Sequence, residues 1–176
     1  MFIPRQLNLA EATSRKSCFL YGPRQTGKSM LIHESLPAGT PVYNLLDQRL
    51  WLDLSTDPSR MRQELEAKNA YDTLVVIDEI QKLPALLDEV QLLIETRGLR
   101  FLLTGSSARK LRRSGVNLLG GRARSRHLHP FSWKELGPRF DLMAALNRGL
   151  IPSIYFSDDA SEDLRAYVGT YLKEEI

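Results

Sequence analysis

The chain has 176 residues, 43% hydrophobic and 26% charged, a balance typical of one globular domain and outside the range of disordered chains. A single cysteine, Cys18, excludes an internal disulfide, and the apolar runs are too short to cross a bilayer, so we expect a cytoplasmic protein with no membrane partner. The net charge is only +3, but the segment 96–134 holds ten basic and no acidic residues. Function in that segment would therefore depend on positive charge.

The first chemical motif follows a predicted lead-in segment, residues 1–16, and a predicted buried strand over 17–21. It reads G-x-x-x-x-G-K-S, the phosphate-binding P-loop, and a helix over 29–36 is predicted to follow it, as the motif requires. Its glycines let the backbone turn so that N–H groups and the helix N-terminus converge on one anion. The candidate nucleotide-binding residues are Gly22, Pro23, Arg24, Gln25, Thr26, Gly27, Lys28, Ser29 and Met30.

Two side chains of this motif carry specific chemistry. Lys28 brings a positive charge to the β- and γ-phosphates and is a candidate catalytic residue, while the Ser29 hydroxyl is a candidate ligand of Mg²⁺. A GTPase is disfavoured, because guanine-specific P-loop proteins use an N-K-x-D segment and the sequence contains no Asn-Lys pair.

A second motif follows at 73–79, after a predicted strand over 42–46 and predicted helices over 48–54 and 58–68. Its apolar run is typical of a strand buried on both faces of a parallel sheet, and such strands end where α/β sheets place their ligands. Asp78 is therefore the candidate Walker B residue that holds Mg²⁺, and Glu79 is the candidate base for the attacking water.

A predicted amphipathic helix over 84–97 and a fourth predicted strand over 100–104 come next. Thr104 and Ser106, at the end of this strand, are candidates to bond the γ-phosphate or the attacking water. The alternative, that these small residues only cap a helix over 107–113, stays open.

The basic segment 109–126 has three open interpretations. It is a solvated face, a contact for nucleic-acid phosphates, or the source of an arginine finger for a neighbouring nucleotide. Arg122 is the best finger candidate, because it follows two glycines. DNA and a homo-oligomer are accordingly candidate partners.

The C-terminal third is predicted to contain a fifth strand around His127 and His129, a capping box from Ser132 to Glu135, and helices over 141–149 and 160–175. We do not interpret the histidine pair as a metal site, because no Cys or carboxylate lies nearby in the sequence. We divide the chain into the lead-in, a P-loop core over 17–150, and a helical segment over 151–176 that leads towards a further domain.

The order and wording of these pieces resemble the prokaryotic AAA-type ATPases. The pieces read LYGPRQTGKS, LVVIDEIQKLP, FLLTGSSARKL, LLGGRA, LHPFSWKEL, GLIP and YVGTYLKEEI, and they cover residues 2–176. The resemblance implies an α/β P-loop NTPase, a three-layer sandwich whose parallel sheet has about five strands in the order 5-1-4-3-2. It also implies a sensor position at 104–107, and a finger role for Arg122 on its own or a neighbour's nucleotide.

We therefore predict Mg²⁺-dependent hydrolysis of ATP that drives a conformational switch. The alternative is a nucleotide-gated module that binds DNA or protein with little turnover. A small-molecule kinase is less favoured, because adjacent Asp78 and Glu79 suit activation of water better than activation of an acceptor.

Overall fold

The structure is a computed structural model, and it describes residues 2–107, 109, 111 and 119–175. Its strands are β1 (Ser17–Tyr21), β2 (Val42–Asn44), β3 (Leu74–Asp78), β4 (Arg100–Gly105) and β5 (Ala123–His127). They form one parallel sheet in the order β2-β3-β4-β1-β5. This is the predicted order read from the opposite edge, so the predicted fold class is confirmed.

The helices surround this sheet. They are α1 (Leu9–Ala12), α2 (Lys28–Ser35), α3 (Gln48–Thr56), α4 (Ser59–Ala67), α5 (Leu86–Arg97), α6 (Trp133–Leu136), α7 (Leu142–Arg148), α8 (Pro152–Tyr155) and α9 (Ala160–Glu175). Single 3-10 turns lie at Ile80–Lys82 and Gly137–Arg139. Within the described part of the chain, none of these helices combines the length and the apolar character that a membrane span needs.

Both faces of the sheet are covered, which makes three layers. All five residues of β1 are buried, because β1 lies inside the sheet between β4 and β5. Its alternate side chains serve two cores: Cys18 and Leu20 pack with α1 and α2, whereas Phe19 and Tyr21 pack on the side of α3, α4 and α5. Burial raises the pKa of the Cys18 thiol to about 11, so this cysteine is a protonated core residue.

The end of β5 differs from the prediction. The fifth strand was expected to include His129, but β5 ends at His127, because β1 turns into the P-loop at Gly22 and leaves no strand for His129 to pair with. The predicted helix over 107–113 lies largely outside the described residues.

The capping box is confirmed: Ser132 Oγ accepts from the Glu135 N–H at 3.2 Å, and Glu135 Oε2 accepts from the Ser132 N–H at 2.9 Å.

Arg5, in the lead-in segment, ties three separate parts of the fold together. Its side chain is only 4% exposed, and its guanidinium donates to Glu135 Oε1 at 3.0 Å. The same group donates to the carbonyl oxygens of Thr26, at 2.7 Å, and His129. The guanidinium also lies 4.9 Å from the centroid of the Phe131 ring. The P-loop is therefore fixed to the N-terminal segment and to α6 through one buried cation.

The charge of Glu135 is stabilised by this arrangement. Burial alone would raise the pKa of Glu135, but hydrogen bonds from the N–H groups of Ser132 and Gln6 and the nearby Arg5 guanidinium hold it below its ordinary value. A carboxyl whose folded-state pKa is lowered contributes stability above its unfolded pKa of about 4.3 and loses that contribution as the pH falls through the folded-state pKa.

We predict that Glu135→Gln lowers the free energy of unfolding by about 2 kcal/mol at neutral pH, because Arg5 stays buried without its counter-charge. Thermal melting of both proteins between neutral and acidic pH measures this. The difference in melting temperature should shrink as the pH falls below the ordinary glutamate pKa of about 4.3, towards the lowered pKa at which folded Glu135 is protonated. The exposed Glu34→Gln is the matched control, and an equal loss in both variants at all pH values would contradict the prediction.

Candidate nucleotide-binding site

The P-loop connects β1 to α2 and depends on one close backbone approach and one left-handed backbone conformation. A Cβ at Gly22 would lie 2.3 Å from the carbonyl oxygen of Leu128, which follows β5. Gly27 has a φ of +87° at the N-cap of α2, a left-handed conformation that side chains disfavour. Both glycines of the motif are therefore required by the path of the chain before any ligand is considered.

Lys28 is buried inside the loop. Its Nζ donates to the carbonyl oxygens of Gly22 at 2.8 Å and Pro23 at 3.1 Å, and only 6% of the residue is exposed. Thr26 is also turned inward, since its hydroxyl donates to the Pro23 carbonyl at 2.8 Å. The carbonyl groups of the loop thus hold its own cation inside the loop.

Asp78 is the point at which the P-loop helix meets the sheet. Its Oδ2 accepts from the Ser29 hydroxyl at 3.0 Å, and its Oδ1 accepts from the Thr104 hydroxyl. The carboxylate is 5% exposed at the end of β3, and Thr104 is fully buried at the end of β4. The structure therefore brings the two predicted magnesium residues together. It places the Thr104 hydroxyl against Asp78, so Thr104 orients this carboxylate.

The pair fits a magnesium ion. Mg²⁺ prefers oxygen ligands at about 2.1 Å in octahedral geometry, in which adjacent ligands lie about 3.0 Å apart. The Ser29–Asp78 separation of 3.0 Å matches that spacing. Among the described residues no group of three or more His, Cys, Asp or Glu converges on one point.

Glu79 follows Asp78 in a strained conformation. Its φ is +62°, in the left-handed region that non-glycine residues rarely adopt, and its N–H donates to Thr104 Oγ1 at 3.0 Å. Its carboxylate accepts from the side-chain amide of Gln81. A strained backbone persists only where the surrounding structure stabilises it, and such conformations are often found at functional sites.

The mouth of the P-loop opens into a cleft of about 630 Å³, within the range of small-molecule sites. The lining residues are Arg24, Gln25, Gly27, Lys28, Ser29, Met30, Leu46, Glu79, Gln81 and Lys82. Sequence reasoning missed Leu46, Gln81 and Lys82. The motif DEIQK contained a signal for the last two, because polar residues just after an Asp-Glu strand end stay at the same edge of the sheet.

Ser106 also lies at this sheet edge, one residue beyond β4. It is 6% exposed, and its hydroxyl is one of the few buried polar atoms among the described residues that has no hydrogen-bond partner. A buried hydroxyl without a partner is unusual in a folded protein. Its predicted role toward the γ-phosphate or the attacking water stays a prediction.

The outer turn of the P-loop touches the C-terminal helical segment. Gln25 Oε1 accepts from the Ser153 hydroxyl at 2.7 Å, and the Arg24 carbonyl accepts from the Tyr167 hydroxyl at 3.4 Å. A second cleft of about 310 Å³ lies between these residues and α9. A nucleotide that moved Arg24 or Gln25 would therefore also affect α8 and α9.

Arg122 lies near the amino-terminal ends of the strands, whereas the P-loop lies at their carboxyl ends. It directly precedes β5, beside the start of β1, whereas the P-loop follows the end of β1, about 13 Å away at a rise of about 3.3 Å per residue. Its guanidinium pairs with Glu95 at 2.6 Å. This position disfavours a role on its own nucleotide, and a role on a neighbour's nucleotide stays a prediction. Lys110, Arg112 and Arg113 of the basic segment lie outside the described residues.

The chain is similar to several known proteins. An uncharacterized protein of Mycobacterium tuberculosis and one of Mycobacterium bovis are each 28% identical over 166 residues, covering 89% of this chain and 35% of theirs. The chain thus spans about a third of the length of the curated relatives it matches. The Aeropyrum pernix Orc1 protein, solved in complex with DNA, matches with a TM-score of 0.47 and 16% identity over 92% of this chain and 53% of that chain.

A family model provides the assignment. The model described as "AAA domain" matches residues 14–137, which include the P-loop, all five strands and the Asp78–Glu79 pair. Because this match covers well over half of the sequence, the chain belongs to the AAA domain family of P-loop ATPases.

Proposed function

We propose that the chain binds Mg-ATP and hydrolyses it, and that the cycle drives a conformational switch. The observation that supports this most is the hydrogen-bonded set at the end of β3. Asp78 bridges Ser29 of the P-loop helix and Thr104 of β4, with Glu79 beside it at the mouth of the cleft. A metal-binding carboxylate next to a candidate base suits transfer of a phosphoryl group to water.

In this proposal the P-loop N–H groups and the N-terminus of α2 bind the phosphates. Lys28 exchanges its bonds to the Gly22 and Pro23 carbonyls for bonds to phosphate oxygens. Ser29 and Asp78 would hold Mg²⁺, which would supply charge neutralisation at the β- and γ-phosphates.

Glu79 accepts a proton from the attacking water as its oxygen bonds to the γ-phosphorus. The bond from that phosphorus to the β,γ-bridging oxygen breaks, and ADP and phosphate leave. The Ser153–Gln25 and Tyr167–Arg24 contacts are where the switch would reach α8 and α9.

We predict that Mg-ATP raises the melting temperature of the wild type and not of Lys28→Ala, because Lys28 supplies the charge that binds the phosphates. A ligand that binds only the folded state adds about 2.7 kcal/mol at a hundredfold excess over its Kd. Thermal melting with Mg-ATP, Mg-ADP and Mg-GTP measures the shift. The exposed Lys134→Ala is the control and should respond like the wild type, whereas a shift retained in Lys28→Ala would contradict the proposal.

We predict that Glu79→Gln still binds Mg-ATP but loses turnover by at least about a hundredfold, the usual contribution of a general base. The amide keeps the size of the side chain but lacks the negative charge and the basic oxygen that would accept the proton. Phosphate release at saturating ATP measures kcat, and the exposed Glu162→Gln serves as the control. Unchanged hydrolysis by Glu79→Gln would remove Glu79 from the role of base.

A second candidate function, nucleotide-gated binding of single-stranded nucleic acid, is favoured by a basic groove. We define this groove by Arg15, Arg124 and Arg126, which line a cleft of about 470 Å³ together with Gln6, Leu7, Asn8, Glu11, Ala12 and Ser14. Arg124 and Arg126 pair in register with Cys18 and Leu20, so they lie on the face of the sheet that α1 covers.

The groove differs from an ordinary solvated face in two ways. Its arginines come from two distant segments and converge on one concave surface. Among the described residues none of the three forms an ion pair, although Glu11 lines the same groove. Arginines that form no ion pair among the described residues, next to side-chain amides and a hydroxyl, suit phosphates along a flexible strand.

We predict that the double variant Arg124→Ser, Arg126→Ser binds a labelled single-stranded oligonucleotide more weakly than the wild type. If both contact phosphates, the slope of log K against log salt should fall in magnitude by about 1.4, since each contact contributes about 0.7. Fluorescence anisotropy across a salt series measures this, with and without Mg-ATP. The exposed pair Arg139→Ser, Arg165→Ser removes the same charge outside the groove, and an equal loss there would indicate non-specific attraction.

A further inference from the structure

We propose that Gln81 is a positioning residue that fixes the carboxylate of Glu79, and that Gly105 is a glycine so that the Gln81 amide can occupy this position. The inference rests on the proposed hydrolytic function. It assigns a role in that function to Gln81 and Gly105, which lie outside the P-loop and the Asp78–Glu79 pair.

The backbone of Glu79 is fixed, but its carboxylate needs a separate support. The Glu79 N–H is bonded to Thr104 Oγ1 at 3.0 Å, and the next three residues form the 3-10 turn Ile80–Lys82. These contacts leave the side-chain torsions of Glu79 undetermined. The bond from Gln81 Nε2 to Glu79 Oε2 is what restricts them.

The orientation of the Gln81 amide follows from charge. A carboxylate accepts hydrogen bonds, so the NH₂ group of the amide must face Glu79 and the amide oxygen must point the other way. That oxygen, Oε1, is buried and has no hydrogen-bond partner among the described residues. A buried acceptor without a partner is costly, and such atoms often have a functional explanation.

Gly105 provides the space for this oxygen. A Cβ built on Gly105 would lie 2.6 Å from Gln81 Oε1, closer than such atoms approach in proteins, while its next neighbours would be at 3.6 and 3.8 Å. Gly105 belongs to β4 and has an ordinary negative φ, so its backbone conformation does not require glycine. The position of the Gln81 amide is the specific reason that the structure provides for a glycine here.

Together these contacts form a chain from β4 to the candidate base. Gly105 leaves space for the amide oxygen of Gln81, and the Gln81 amide donates to the Glu79 carboxylate. Thr104 Oγ1 accepts from the Glu79 N–H. Gln81 Oε1 and the hydroxyl of Ser106, the residue after Gly105, are both buried and have no hydrogen-bond partner among the described residues. A misplacement of about 1 Å at a reacting group can cost on the order of a hundredfold in rate.

The test is a double-mutant cycle on Gln81→Ala and Gly105→Ala. We expect each single variant to lower kcat for ATP hydrolysis at least about tenfold and to change the Kd for Mg-ATP less than about twofold. In the Gln81→Ala background, Gly105→Ala should have no further effect on kcat, because the atom it would displace is gone.

Matched controls are available in the chain. Gln91 donates to Glu95 at 3.1 Å in an exposed pair of the same type, so Gln91→Ala removes an equivalent hydrogen bond outside the cleft. Gly169 lies in α9 with open space at its Cβ position, so Gly169→Ala adds the same methyl group without a clash. Both controls should keep the wild-type kcat.

A second readout does not depend on turnover. In ¹H–¹⁵N spectra of the protein without nucleotide, the Gln81 side-chain amide signal is identified by its loss in Gln81→Ala. We expect Gly105→Ala and Glu79→Gln to shift this signal, and Gly169→Ala to leave it in place.

The outcomes separate the two proposals. Hydrolysis by the wild type with unchanged kcat in Gln81→Ala, or independent effects of the two substitutions, would overturn the role of Gln81 and leave the proposed function intact. Equal losses of kcat and Mg-ATP affinity would make Gln81 a structural residue. No hydrolysis by the wild type, despite binding of Mg-ATP, would overturn both.

Discussion

The structure depends on the contacts of one carboxylate at the end of β3. Asp78 is buried, and it is bonded to Ser29 on the P-loop helix and to Thr104 on β4. These bonds satisfy a charge that would otherwise be costly inside the sheet, and they fix the first turn of α2 against two strands. The P-loop, the candidate base and the end of β4 are therefore positioned relative to each other before any nucleotide binds.

Several parts of the site are held in states that are unfavourable alone. Glu79 has a left-handed backbone, Lys28 is folded back onto loop carbonyls, and Ser106 has a bare buried hydroxyl. In the proposed function, the Lys28 ammonium would bond to a phosphate and the Glu79 carboxylate would bond to the attacking water. A site of this kind is preorganised, because the cost of arranging its groups is met by folding and not by the ligand.

The surroundings of the P-loop connect it to the rest of the chain. Arg5 binds the Thr26 carbonyl from the N-terminal side, and Ser153 and Tyr167 bind the Arg24–Gln25 turn from the C-terminal side. The lead-in and the C-terminal helices thus both contact this loop, and Ile3 of the lead-in packs in one cluster with Tyr155 of α8. A change of the loop on nucleotide binding would be transmitted to both, which is the physical content of a switch.

The sequence by itself determined the architecture and the central motif. The P-loop spacing, the apolar strand before Asp78 and the alternation of strands with helices are local patterns, and local sterics and burial are enough to interpret them. The contacts of Thr104, Arg5, Gln81 and Gly105 were decided only by the tertiary structure. Some of these contacts join residues that lie far apart in the chain, such as Arg5 and Glu135. Another depends on the space that a missing Cβ leaves at Gly105. Neither kind of contact leaves a periodic signal in the sequence. Arg122 is a further example. Only the parallel pairing of β5 with β1 shows that this residue lies at the amino-terminal ends of the strands, away from the P-loop.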